Sequence, residues 1–122
     1  MSKVESGSAI AIARPGRCQP NELDLRRIVR LLEQRVRYRY VSATVEAITN
    51  GYHVVSPCCS RTVDRDGGVI DIARLEYDER RGLWNLYSKD HESDTWLFHY
   101  SSPRLATLME CLNQDPARVF WQ

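Results

Sequence analysis

The chain has 122 residues, 43% of them hydrophobic, with 17 Lys and Arg set against 16 Asp and Glu. That apolar content excludes wholesale disorder, and a net charge of +1 excludes a uniformly basic nucleic-acid binder. The length suits one domain with a single core, and no apolar run is long enough to span a membrane.

Residues 1–20 read as a flexible N-terminal arm. Ser, Gly, Pro and Arg dominate, and Pro15-Gly16 is a turn signal. Ile10 and Ile12 alternate with Ala, which also fits a short edge strand, but the arm is the preferred reading. The start has no long apolar segment of the export type, so Cys18, Cys58, Cys59 and Cys111 are expected as reduced thiols in a cytoplasm. Residues 21–122 are expected to form a single α+β domain.

Asn21 offers an N-cap, and Glu22 and Asp24 suit the positive end of a helix dipole. Leu25, Ile28, Val29, Leu32 and Val36 follow at helical spacing, which predicts an amphipathic helix over 22–36. Its other side carries Arg26, Arg27, Arg30 and Arg37. Residues 38–48 are rich in Tyr, Val and Thr and predict a strand. Asn50-Gly51 supplies the two positive-φ residues of a type I′ hairpin, which sets Ala47 opposite Val54 and Ile48 opposite His53. The returning strand covers 52–56, and an irregular loop occupies 57–68.

A third strand is expected over 69–77, with Val69, Asp71, Ala73, Leu75 and Tyr77 on one side. A fourth covers 83–88, where Trp84 and Leu86 oppose Leu83 and Tyr87. A fifth covers 95–100, with Trp96, Phe98 and Tyr100 on one face and His99 on the other. Ser102-Pro103 then reads as an N-cap followed by Pro at the first helical position. Leu105, Leu108, Met109 and Leu112 make a second amphipathic helix, stopped by residues 113–116. Val119, Phe120 and Trp121 form an apolar hook that must bury against something. Hairpin-length connections imply an antiparallel sheet of about five strands, with the N-terminal and C-terminal helices packed on one face.

The C-terminal half resembles a known family. Ile72-Ala-Arg-Leu-Glu-Tyr77, Gly82-Leu-Trp-Asn-Leu-Tyr87, Asp90 with Trp96 and Tyr100, and Asp115-Pro116 before Phe120-Trp121 are similar to small bacterial proteins catalogued as domain of unknown function 3024. Arg61 stands where that pattern has an Arg before its third strand. The resemblance covers roughly residues 22–122; the leader and Cys58-Cys59 are not part of it. It implies a cytoplasmic domain with no established activity.

Catalytic and metal signatures are weak. Adjacent Cys58-Cys59 lacks the spaced-pair pattern of a zinc site, and His53 reaches Cys58 only if the loop folds back. Asp64-Arg65-Asp66-Gly67 begins like a calcium loop, but the twelfth position is Leu75, so a solvated turn is expected. His91, Asp90, Glu92 and Asp94 read as a polar loop. No metal, cofactor or catalytic residue is assigned.

The remaining constellation is aromatic and arginine-rich. Fifteen of the basic residues are Arg, which favours planar carboxylate or phosphate partners. Two helices cover one face of a sheet, so Trp84 or Tyr87 beside Arg61 and Arg74 would form a stacking platform if on the open face. The ordinary reading of the same aromatics is core. Arg26 and Arg30 add a second basic candidate on the first helix. The leading expectation is a non-enzymatic bacterial domain binding a protein partner, self-association included. A single-stranded nucleic-acid binder is the alternative, and an undetected hydrolytic or redox enzyme the third reading; no membrane role is expected. Residues 1–40 carry net +5 and residues 41–122 net −4, so the near-neutral total still allows a local basic surface.

Overall fold

The computed structural model describes residues 18–39, 42–57 and 68–121. Residues 1–17 of the expected arm, Cys58, Cys59, Arg61 and the turn expected at Asp64–Gly67 lie outside them. Helix α1 (Glu22–Leu32) starts at the expected cap, where Asn21 accepts the Asp24 N–H at 2.8 Å. A cap of this kind is worth about 1 kcal/mol. Gln19 also joins this end, bonding Asp24 at 2.8 Å and the Tyr52 hydroxyl at 2.5 Å.

The helix stops short of the predicted residue 36. Arg35 turns inward and donates to the carbonyls of Leu32 (2.9 Å) and Tyr38 (2.9 Å), while the Val36 N–H reaches Asn113 O at 3.0 Å. Tyr38 takes a left-handed φ of 54°, so the strand predicted from residue 38 begins only at Thr44. Ile28 and Leu32 are buried and Leu25 is partly buried, but Val29 and Val36, predicted for the core, are exposed.

Five antiparallel strands form one sheet in chain order: β1 (Thr44–Ile48), β2 (Gly51–Pro57), β3 (Val69–Asp78), β4 (Leu83–Asp90) and β5 (Thr95–Ser102). The first hairpin differs from the predicted register. Ala47 opposes Tyr52 and Ile48 opposes Gly51, so the two-residue turn is Thr49-Asn50. Asn50 supplies the positive φ (63°), and Gly51 is the first residue of β2.

Two irregularities redistribute the faces. A register shift between Val54 and Val55 leaves Ile72 as the extra residue of β3. Ala73, Leu75 and Tyr77 then face the helices, while Asp71 faces away with Val55, not with Ala73 as the simple alternation predicted. A second shift leaves His99 extra on β5, so Tyr100 opposes Leu86 on the helix side while Trp96 and Phe98 stay on the other. The predicted Trp96–Phe98–Tyr100 face is therefore broken after Phe98.

Helix α2 (Leu105–Gln114) begins later than the Ser102-Pro103 signal implies. Arg104 is its N-cap, without a side-chain cap bond, and Ser102 Oγ instead accepts the Arg104 N–H at 3.1 Å. Both helices join one core with Tyr52, Val54, Leu75, Trp84 and Leu86, closed by Phe120 and Trp121. The fold is thus a two-layer α+β sandwich with one sheet face covered.

Candidate interaction face

Among the described residues neither helix packs on the second face of the sheet, and strand pleat decides what this open face carries. Glu46 of β1, His53 of β2, Asp71, Arg74 and Glu76 of β3, Asn85, Tyr87 and Lys89 of β4, and Trp96 and Phe98 of β5 stand on it. Trp96 is the hub. The His53 ring meets it edge-on at 5.4 Å, Lys89 Nζ lies 4.9 Å from its centroid and Arg74 Cζ 5.9 Å. Such cation–π contacts contribute about 0.5–1 kcal/mol each at partly exposed sites. Beside it, Tyr87 and Phe98 pack edge-to-face at 5.8 Å.

Carboxylates hold each of these cations. Lys89 Nζ lies 2.9 Å from Asp94 and 3.3 Å from Asp71, and Arg74 lies 2.6 Å from Glu76. His53 Nε2 is 2.6 Å from Asp71 Oδ1 but off the line of a good hydrogen bond. Its Nδ1 is 3.9 Å from Glu46. The face therefore carries compensated charge around an aromatic centre.

Proton affinities follow this packing. The hydrogen bond to Asp94 is the main cause that lifts Lys89 above the ordinary lysine range, with burial opposing and Asp71 adding. Burial raises the Tyr87 phenol, and Glu76 adds to it. Burial likewise raises Tyr52 beneath the helices. A group whose pKa is raised on folding adds stability below its ordinary value and loses it as pH climbs through the folded value. The urea midpoint is therefore expected to fall above about pH 10, and Tyr87→Phe to reduce that fall. A midpoint that rises over the same range would contradict the assignment.

The sequence-derived candidates separate in space. Arg74 and Tyr87 come together on the open face. Trp84 does not join them: it is 4% exposed and packs against Tyr52 (6.2 Å) and Tyr77 (5.0 Å) in the core. Arg26 and Arg30 sit about 200° around α1 from buried Ile28. They point away from the sheet, on the opposite side of the molecule from Arg74, and Arg26 pairs with Glu22 at 3.5 Å. Arg61 lies outside the described residues. Sequence reading missed Trp96, Lys89 and His53 as a cluster, because they come from three strands.

Among the described residues Ser88 Oγ lies 2.6 Å from His99 Nε2. Ser88 is 2% exposed, and His99 packs on Phe120 at 5.1 Å. A nucleophile needs access to its substrate as well as a base, and this hydroxyl has none. Among the described residues no group of three His, Cys, Asp or Glu is placed to hold a metal, and no helix is long and apolar enough to cross a membrane.

Fold and face together define the class: a helix-backed antiparallel sheet whose open side bears an aromatic, charge-compensated cluster. The chain belongs to the family described as Domain of unknown function (DUF3024), whose model matches residues 17–122. Neither the curated proteins nor the solved structures contain a significant match.

Proposed function

We propose that this protein is a cytoplasmic bacterial interaction domain that receives a protein partner by strand addition along β5. One observation carries the reading. Among the described residues β5 is hydrogen-bonded to a neighbour on one side only, and it exposes Leu97 (47%), Phe98 (58%) and Tyr100 (43%). Sheet edges of this kind are normally blunted by short length, charge or proline. The other edge follows that rule: β1 has five residues and carries Glu46. β5 has eight residues, TWLFHYSS, without Lys, Arg, Asp, Glu or Pro. Main-chain bonds along such an edge give affinity, and alternating side-chain sites give specificity. The free, exposed thiols of Cys18 and Cys111 suit a reducing compartment.

Nucleic acid fits the same face less well. Phosphate binding needs cations to spare, whereas Arg74 and Lys89 already lie against Glu76, Asp71 and Asp94. A displayed peptide library panned on the protein is expected to yield extended sequences with alternating apolar residues. Phe98→Glu, at an exposed position, is expected to lose them while keeping the circular dichroism spectrum. Recovery of no such peptides, or of peptides indifferent to Phe98→Glu, would refute strand addition. Quenching of Trp96 by a short oligothymidine, steeply weakened by salt, would favour nucleic acid instead.

A further inference from the structure

We infer that the partner strand is β5 of a second copy, paired antiparallel about a twofold axis at Leu97. This inference rests on the strand-addition reading above and names its occupant. Two sheets would join into one of ten strands, with β5 of each copy at the centre.

The pleat selects the register. Trp96 and Phe98 lie on the open face with Lys89 and Tyr87, whereas Thr95 and Leu97 lie on the helix side with Asp90 and Ser88. The shift at His99 then breaks the alternation, and Tyr100 joins Leu86 on the helix side. Paired strands must keep their faces in step, because a mismatch sends side chains to opposite sides of the sheet. A twofold at Phe98 fails this test, since it sets Trp96 on the open face against Tyr100 on the helix side. A twofold at Trp96 opposes Phe98 with Asp94, a left-handed turn residue (φ 58°) before the strand. A twofold at Leu97 satisfies it: Trp96 meets Phe98 of the second copy, Leu97 meets Leu97, and Thr95 meets His99.

Charge also favours a copy of the same strand. A twofold brings the same short stretch together from both copies, so a charged edge would set like charges close to one another and repel itself. β5 has no Lys, Arg, Asp or Glu to oppose. The pairing covers Leu97 and Phe98, both about half exposed in the single chain. On the open face it extends the row Lys89–Trp96 into Phe98–Tyr87 of the second copy, and the twofold repeats that row. The His99 shift ends the matched ladder after five residues, so the interface is small and the dimer reversible.

Light scattering and sedimentation over roughly 10 μM to 1 mM read the mass directly. The wild-type mass is expected to rise toward two chains, with concentration-dependent protection of β5 amides in hydrogen exchange. Leu97→Lys and Leu97→Glu, at a half-exposed position, are each expected to remain one chain. An equimolar mixture of the two is expected to recover the two-chain mass, because opposite charges then meet at the axis. A wild type that stays one chain at about 1 mM overturns the inference, as does a dimer that persists in Leu97→Lys. If the library peptides still bind β5 in that case, strand addition stands and only the self-pairing falls. If they do not, both readings fall together.

Discussion

Asp115→Ala is expected to lower the unfolding free energy by about 4 kcal/mol and the melting temperature by roughly 15–20 °C. Asp115 follows α2 in a left-handed conformation (φ 38°, ψ 57°), which brings its carboxylate under the last residues of the chain. One oxygen accepts the Val119 N–H at 2.8 Å, the other the Trp121 N–H at 2.8 Å, and the Phe120 N–H lies 3.2 Å from both. The Arg37 side chain bonds the Asp115 carbonyl at 3.1 Å and ties the same corner to the segment after α1. Trp121, held by this carboxylate, is fully buried, and its Nε1 donates to Leu112 O at 3.0 Å. Arg35 covers the indole at 5.2 Å.

Alanine removes every acceptor at once. It strands buried N–H groups at about 1–3 kcal/mol each and loosens an aromatic that plugs the core. Asn keeps one acceptor oxygen and tolerates the left-handed backbone, so Asp115→Asn is expected to cost about half as much. Thermal and urea denaturation read both variants. A loss under about 1 kcal/mol for the Ala variant would mean that packing alone holds the hook.

Gly51→Ala is expected to cost about 3 kcal/mol, for a reason unrelated to turn conformation. The Asn50-Gly51 pair reads in sequence as a turn that needs glycine for positive φ. In the fold Gly51 is inside the β2–β3 ladder, opposite Glu76. A Cβ there would stand 1.9 Å from Leu75 O and 2.9 Å from Glu76 Cα. Both obstacles are backbone, so the clash is relieved only by moving β3 away from β2. Asn50→Gly is the control: the positive φ is at Asn50, and glycine there is expected to change stability by less than about 0.5 kcal/mol. Urea midpoints that ranked the two substitutions in the opposite order would return Gly51 to the turn.

Much of this architecture was legible beforehand because it rests on local rules. The Asn21 cap, the Ile28–Leu32 stripe, the five strands and the Phe120-Trp121 hook each follow from neighbouring residues. The failures share one cause. Val29 and Val36 have helical spacing but stay exposed, and Ser102-Pro103 looks like a cap but the helix waits for Leu105. Tyr100 alternates correctly in sequence yet changes face, because an extra residue in β5 is visible only against β4. The candidate site suffered most. Arg74 and Tyr87 were singled out, but Trp84, with the same aromatic character, sits one pleat away in the core.

By itself the sequence determined the α+β class, the order of elements and the family, because periodicity, caps and aromatic motifs are properties of contiguous residues. Only the tertiary structure decided which aromatics face outward, which cations are already paired and which strand forms each edge of the sheet among the described residues. Those depend on strand register, and two shifts, at Ile72 and His99, reset it between chain segments that local patterns treat as independent.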